Sequence, residues 1–509
     1  MNVSILLSIV IGILAVVHYL FRNFNFFKRQ HVIHIPSMPI LGSLASLLLC
    51  QSSFVELSRS IYNFNRDATY IGFYAMTRPM LMLRDPKLIK EVAVKNFDKF
   101  PTSPVFLNFN DYVFTRNLFA LQDTKRWRNL RNLLSPFFSS AKMKALFTLM
   151  SECAVVFTEL ISTLPEKGSD MNMSTMFDRY TNDVIALCCY GMETNSMKDP
   201  TNKFYIFGKR ITHLSIIASL KFIFIRTFPR LGRIFNIKLM DNQEMRYFQA
   251  SIRNEITTRY ATKMTRPDMI QLMIDNNESS AKRVQLDMDD MSAHAYSFYF
   301  AGFETSSAVM SFIAYNIATN PDVQIKLQQE IDEILKESNG NVNYETINQL
   351  EYLDAVVKEA LRRFASSVTE RMCNEDFELP PALPGEKPFI VKKGMWVWIP
   401  IHAIHHDEKY YDNPEEFCPE RFLDNKIDTS LYFPFGLGPK MCMGYRFATL
   451  MTKIVIFHLL ARCDLKPCSK TKSLTYSKKM IQMMPENGFW LNVKQRNNIE
   501  WESQLDRAF

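Results

Sequence analysis

Thirty consecutive residues, Met291 to Asn320, carry one formal charge, Glu304. As a single helix they make a rod of about 45 Å at 1.5 Å per residue, long enough to cross a whole domain, so the rest of the chain must pack around it. Asp287, Asp289 and Asp290 suit its N-terminus and Asn320-Pro321 its end. A second membrane span is the competing reading. Glu304, His294 and the many Ser and Thr side chains make poor lipid-facing residues, and no basic flank follows. At the midpoint stands Ala301-Gly302-Phe303-Glu304-Thr305-Ser306, where glycine costs up to about 1 kcal/mol of helix stability relative to alanine. The small pair Ala301 and Gly302 admits either a neighbouring helix or a ligand lying against the backbone. The Thr305 hydroxyl can bond the i−4 carbonyl and open the helix locally.

Around this rod the sequence predicts a mainly α chain with small β-sheets. Tyr70–Phe73, Leu81–Leu83 and Gly394–Pro400 read as strands, a helix starts near Asp85-Pro86, and Leu474–Val493 reads as a hairpin turning at Pro485–Gly488. Phe106–Leu121 reads as a long loop and Phe204–Met240 as apolar helix, both candidate pocket walls through Phe106–Leu121 and Leu214–Phe228. Hydrophobic residues are 47% of 509, with 40 Phe and no Gly/Ser-rich interior linker, so one large body is expected. Nine cysteines without paired spacing fit a reducing compartment. The net charge of +8 is spread without a long basic run, which argues against a nucleic-acid partner.

Val3 to Phe21 holds no formal charge and is close to what a bilayer core requires of a helix. Arg22, Lys28 and Arg29 follow it, which places the remainder on the cytosolic side, and no small-residue cleavage site intervenes. The expected division is residues 1–27 as transmembrane anchor and basic flank, 28–42 as a tether stiffened by Pro36 and Pro39, and 43–509 as the globular body.

Three local patterns carry chemistry. Trp127 and Arg131, four apart, share a helical face and can clamp a carboxylate, or simply form a solvated surface. Tyr352–Phe364 has the cleanest apolar face in the chain; Glu359 and Arg362 fall on the other side, where periodicity alone makes them a solvated pair. The third is Phe435-Gly436-Leu437-Gly438-Pro439-Lys440-Met441-Cys442-Met443-Gly444, a Gly- and Pro-punctuated loop that delivers one cysteine to the start of a helix, where backbone N–H groups favour a thiolate. Gly438 and Gly444 leave room there for something flat beside the sulfur. His402, His405 and His406 invite a metal reading but lack Cys or Glu partners at ligand spacing.

Taken in order, these patterns resemble the cytochrome P450 family, haem-thiolate monooxygenases, over nearly the whole chain. Around Cys442 the wording Met-Gly-Tyr-Arg-Phe-Ala is most like the clan of vertebrate xenobiotic oxidases and thromboxane synthase. The resemblance implies the P450 fold behind an N-terminal transmembrane helix, haem b with Cys442 as axial iron ligand, and haem contacts from Phe435, Lys440, Trp127, Arg131, Arg371, Ala301 and Gly302. Lys440 stands where the family usually has arginine, offering a point charge instead of a fork, and Ala365 where it usually has proline. Glu304 would relay protons from water and Thr305 would steady the group that receives them. Glu359, Arg362 and the Arg421 of Pro419-Glu420-Arg421-Phe422 would form a buried charge network. The resemblance also implies an NADPH-dependent flavoprotein reductase as electron donor, docking near Arg128, Lys440 and Arg446, with cytochrome b5 as a second donor. Lipophilic small-molecule substrates and an endoplasmic reticulum membrane location complete it. Two rival functions are a haem-thiolate peroxide isomerase, which needs no reductase, and a non-catalytic haem-binding protein; the intact Glu304-Thr305 pair argues against the first.

Overall fold

The computed structural model describes residues 3–106, 109–162, 168–213, 215–240, 243–279, 284–423, 427–428, 430–478 and 483–496. Leu107, Asn108, Leu214 and the segment 497–509, named above within pocket walls and body, lie outside the described residues. The helices that position the site are α1 (Val3–Phe21), α2 (Thr124–Leu134), α3 (Ser140–Ser162), α4 (Met173–Tyr190), α5 (Lys203–Thr212), α6 (Ile216–Thr227), α7 (Met288–Thr319), α8 (Glu351–Arg363) and α9 (Tyr445–Arg462). The strands are β1 (Tyr70–Ala75), β2 (Arg78–Leu83), β3 (Ser169–Asn172), β4 (Thr369–Met372), β5 (Phe377–Leu379), β6 (Phe389–Val391), β7 (Trp396–Ile399), β8 (Cys463–Lys466) and β9 (Trp490–Gln495).

The charge-poor run is indeed one helix, α7, 32 residues long and begun three residues earlier than its apolar run. Its start is fixed by reciprocal capping: Asp290 N–H donates to the Asp287 carboxylate at 2.7 Å and Asp287 N–H to that of Asp290 at 3.4 Å. α7 packs along α4, α5, α8 and α9 inside one large apolar cluster that is mostly helical. A second apolar cluster is built on a mixed sheet of order β1-β2-β7-β4, in which β2 and β7 are parallel and the other pairs antiparallel. Smaller sheets are β3-β9-β8 and β5-β6.

The tail differs from expectation. Tyr476 pairs with Pro485, and Ser477 N–H donates to the Met484 carbonyl at 2.9 Å, so Pro485 lies on an arm of the hairpin instead of in its turn. Residues 479–482, between these arms in sequence, lie outside the described residues. Pro485 fits there because its missing N–H is not the donor of that bond.

The segment expected to be a stiff tether, 28–42, is in part docked on the sheet. Phe27 is fully buried with its ring against Gly72 and Tyr74. Gly72 N–H donates to the Ile33 carbonyl at 2.8 Å and Ile35 N–H to the Gly72 carbonyl at 3.0 Å, so residues 33–35 run along β1. α1 is different in kind: its side chains Ile5, Leu7, Ile11 and Leu14 are all exposed. Among the described residues no helix is long and apolar enough to cross a membrane.

Candidate active site

The loop bearing Cys442 sits on the seam between the two apolar clusters. Phe433 and Leu437 pack into the sheet cluster, while Phe435, Met443 and Phe447 pack into the helical one. Gly438 holds the loop in place, with φ +68°, and a Cβ there would stand 2.1 Å from the Ala93 carbonyl oxygen. That close approach to neighbouring backbone is the reason for glycine, not room beside the sulfur. At Gly444 a Cβ would stand 3.4 Å from the Phe138 ring, which is ordinary contact, so no comparable constraint acts there. Cys442 N–H donates to the Phe435 carbonyl at 2.9 Å, which closes the loop just before α9.

Cys442 is exposed, yet protein atoms crowd around its sulfur. Burial pushes the thiol above its ordinary value, against the Gly444 backbone N–H and the Arg131 guanidinium, which pull it down. Burial prevails, so the helix start alone does not make the thiolate expected from sequence. A metal would, because a coordinating thiol is deprotonated outright.

Three cations gather beside this loop. Arg131, on α2, donates to the Met441 carbonyl at 2.8 Å. Arg371, on β4 and almost wholly buried, donates to the Glu370 carbonyl at 2.8 Å and the Leu437 carbonyl at 3.4 Å, and its Nε has no partner. Lys440 places its ammonium 3.9 Å from the centre of the buried Trp127 ring. Burial, then Arg371 and Arg131, push Lys440 down to about 7. Among the described residues no carboxylate joins these three. Such a cluster costs free energy unless an anion completes it. A porphyrin carrying two propionates beside a cysteine has the required charge, so the residues present fit haem b. Trp127, Arg131, Arg371, Lys440, Phe435 and Cys442 are thus brought together. Lys440 is largely enclosed with its ammonium over the buried indole, on the haem-contact side expected of it and not on the outer docking face also expected. Arg128 and Arg446 do stay outside. Arg446 lines a groove of about 690 Å³ with Asn129, Asn132, Ser135, Pro136 and Ser139.

On α7 the Thr305 Oγ1 donates to the Ala301 carbonyl at 2.5 Å, the i−4 bond foreseen from sequence, and both residues lie on the less buried side of the rod. Gly302 also serves packing: a Cβ there would meet the Ile185 side chain of α4 at 3.0 Å. Glu304 lies 3.5 Å from His213 Nδ1, just past the end of α5. The hydrogen bond to Glu304 raises the His213 pKa, with burial opposing. Four residues earlier Lys209 pairs with Asp178 at 2.7 Å, and Ser307 donates to the same carboxylate at 2.5 Å. Sequence reasoning missed His213; the i, i+4 spacing of two basic groups on α5 was the available signal.

The two candidate pocket walls converge on α7. Phe106, Phe109 and Phe114 meet Phe222 of α6 and Phe300 of α7, with ring centroids 4.8 to 6.3 Å apart. On the far side Arg362 and Glu359, both fully buried, are joined by two hydrogen bonds at 2.8 and 2.9 Å. Glu359 also accepts from Arg421 Nε at 3.1 Å and Cys418 N–H at 3.0 Å. The solvated pair that periodicity suggests is therefore a buried network, because Phe417–Phe422 covers that face of α8. His405 is absorbed into it: the Phe433 N–H donates to its Nε2 at 3.2 Å and Arg362 donates to its carbonyl at 2.6 Å.

A family profile described as Cytochrome P450 matches residues 36–493. The chain is 38% identical to Cytochrome P450 9e2 of Blattella germanica, over 96% of this chain and 97% of that protein. It is 33% identical to Cytochrome P450 9b2 of Drosophila melanogaster, over 93% and 95% of the two chains. Its identity to Cytochrome P450 6j1 of Blattella germanica is 32%, over 94% and 95%.

Proposed function

The chain belongs to the cytochrome P450 family and is a haem-thiolate monooxygenase, and from that premise we propose that it works anchored to the endoplasmic reticulum membrane through α1, inserting one oxygen atom into lipophilic small molecules. The observation that carries the site is the cation group Arg131, Arg371 and Lys440 beside Cys442, with no carboxylate joining it among the described residues.

Haem b, when bound, would supply the oxidising chemistry. Cys442 would hold it through its sulfur. Arg131, Arg371 and Lys440 would hold the propionates, with Trp127 fixing the lysine in place. Thr305 Oγ1, now bonded to the Ala301 carbonyl, can turn its hydroxyl toward the cofactor side of α7. Glu304 would take protons from water through the half-exposed His213 and hand them along the helix. The Phe106, Phe114, Phe222 and Phe300 rings would exclude water and receive an apolar substrate.

Electrons would come from NADPH through a flavoprotein reductase seated over the groove beside Arg128 and Arg446, with cytochrome b5 as a second donor. Support for the anchor is the row of exposed apolar side chains on α1 and the basic residues that follow it. Cys442→Ala tests the core of the reading. The variant should lose the carbon monoxide difference band of thiolate-ligated haem and all reductase-supported turnover; a retained band refutes the ligand assignment.

A further inference from the structure

Two imidazoles outside the site described above stand face to face. His402 lies on the short helix Ile401–His405, directly beyond β7, and His406 follows that helix; their ring centroids are 3.9 Å apart and their planes inclined by 13°. Both side chains are buried. His406 Nδ1 donates to the His402 carbonyl at 2.9 Å, whereas neither ring nitrogen of His402 has a partner. Among the described residues no three His, Cys, Asp or Glu groups gather that could hold a metal ion, so the pair is not explained as ligands.

The surroundings are cationic. Arg59 on the helix Phe54–Tyr62, Arg362 and Arg363 on α8, and His405 all act on His402 in the same direction as burial. The Tyr476 ring of the tail hairpin meets the His402 ring at 82°, with centroids 6.1 Å apart. The carboxylate facing the pair, Glu415, is 4.0 Å from His406 Nε2, too far for a hydrogen bond, and its other oxygen is paired with Arg59 at 2.8 Å. Glu359 is committed to Arg362 and Arg421. A proton on either ring would therefore meet guanidinium groups and a second imidazole at stacking distance, and on His402 it would add a donor with no acceptor. Burial, with these neighbours, holds both rings neutral, well below the ordinary histidine range.

This segment is tied to the haem loop. The His405 carbonyl accepts from Arg362 at 2.6 Å, and His405 Nε2 accepts from the Phe433 N–H at 3.2 Å. The Phe433 carbonyl accepts from Gly436 N–H and the Phe435 carbonyl from Cys442 N–H, both at 2.9 Å. We propose that His402 and His406 are a proton-operated latch on haem retention: neutral and stacked, they keep His405 bonded to Phe433 and the Cys442 loop in place, and protonated, they let residues 401–406 open and the loop release its cofactor. Both groups bind protons more weakly closed than open, so the latch holds fully above about 6.5 and weakens as pH falls below it. The inference rests on Cys442 holding haem, as proposed above.

The test mixes the full-length, haem-loaded protein with excess apomyoglobin and follows haem transfer at about pH 7.5 and about pH 5.5. One such proton multiplies opening about tenfold over that interval. His402→Phe keeps a ring in the stack and removes the titrating nitrogens, so its acid acceleration should be about tenfold smaller than that of the wild type. His406→Gln, whose amide can still donate to the His402 carbonyl, should behave alike and serves if the first variant does not fold. His458 on α9 is an equally buried imidazole, held low by burial and Arg462. His458→Phe should leave the acid acceleration unchanged. A full acid acceleration in the His402 and His406 variants overturns the proposal, and so does an equal reduction in His458→Phe, which would mean that whole-molecule unfolding releases the haem. The carbon monoxide band of Cys442→Ala judges the ligand assignment separately, and the transfer rates judge the latch.

Discussion

Arg362→Ala should be among the most damaging substitutions in the chain. The guanidinium is wholly buried and makes five hydrogen bonds: two to Glu359, and one each to the carbonyls of His405, Pro414 and Glu416 at 2.6, 2.8 and 3.3 Å. Its removal leaves three carbonyls without this donor and Glu359 with only Arg421 and the Cys418 N–H. Each unsatisfied group costs about 1–3 kcal/mol taken alone, but such terms do not add, and breaking a buried pair costs about 3–5 kcal/mol. A loss of about 4 kcal/mol is expected. At about 2 cal/mol/K of unfolding entropy per residue, this corresponds to a fall of roughly 4 °C in Tm for a chain of this length. Arg421→Ala is the internal control. Arg421 gives Glu359 a single bond, its other bonds go to the Asp412 and Asn413 carbonyls near the surface, and water can replace it, so about 1–2 kcal/mol is expected. Urea unfolding followed by tryptophan fluorescence ranks the two. A cost below about 1 kcal/mol for Arg362→Ala, or a larger one for Arg421→Ala, would refute the reasoning.

The other expectations are narrower. Gly438→Ala meets both a positive φ and the Ala93 carbonyl, whereas Gly436→Ala, φ +81° with nothing within 4 Å, meets only the first. Thermal unfolding should therefore show the former losing clearly more than the latter's roughly 1–2 kcal/mol, and equal losses would mean the loop moves off Ala93. His213 is held protonated by Glu304 above its ordinary range, with Lys209 opposing and Asp178 assisting, so its tie is fully present below 6.5 and weakens as pH rises through the raised folded value. Backbone amides of residues 209–213 should exchange faster, after correction for intrinsic rates, at mildly alkaline than at mildly acid pH. Glu304→Gln should erase that difference. Arg446→Glu should slow reductase-supported turnover at low salt and spare peroxide-supported turnover; equal slowing of both would place Arg446 away from the electron donor.

What could be read without coordinates was local. The long rod, its acidic start, the strands at Tyr70 and Trp396 and the Cys442 loop are written in neighbouring residues, where composition and period decide conformation. What escaped was pairwise and distant. Nothing near Glu304 announces His213, and nothing near Arg226 announces Glu370, whose carboxylate it meets at 2.6 Å, because each pairing is made only when α5 and α6 fold back over α7 and the sheet. Periodicity also misplaced Glu359 and Arg362. An amphipathic stripe reports which face is apolar, but it does not report that a later segment, Phe417–Phe422, brings its own hydrogen-bonding groups to cover the polar face. Lys440 was assigned both to the haem and to the outer docking face, and the loop sequence could not choose between them because the Trp127 ring that its ammonium meets lies more than three hundred residues earlier.

The docking of residues 27–35 on β1 leaves very little slack between α1 and the sheet. With Phe27 clamped against Gly72 and backbone bonds at Ile33 and Ile35, only the short turn after Phe21 can absorb reorientation. Were α1 held in a bilayer, the body would be carried at a nearly constant pitch, so the same side of β1 would stay turned toward the lipid while the protein diffuses laterally. Encounter with a sparingly soluble compound would then become a two-dimensional search, governed by its mole fraction in the leaflet and not by its concentration in water.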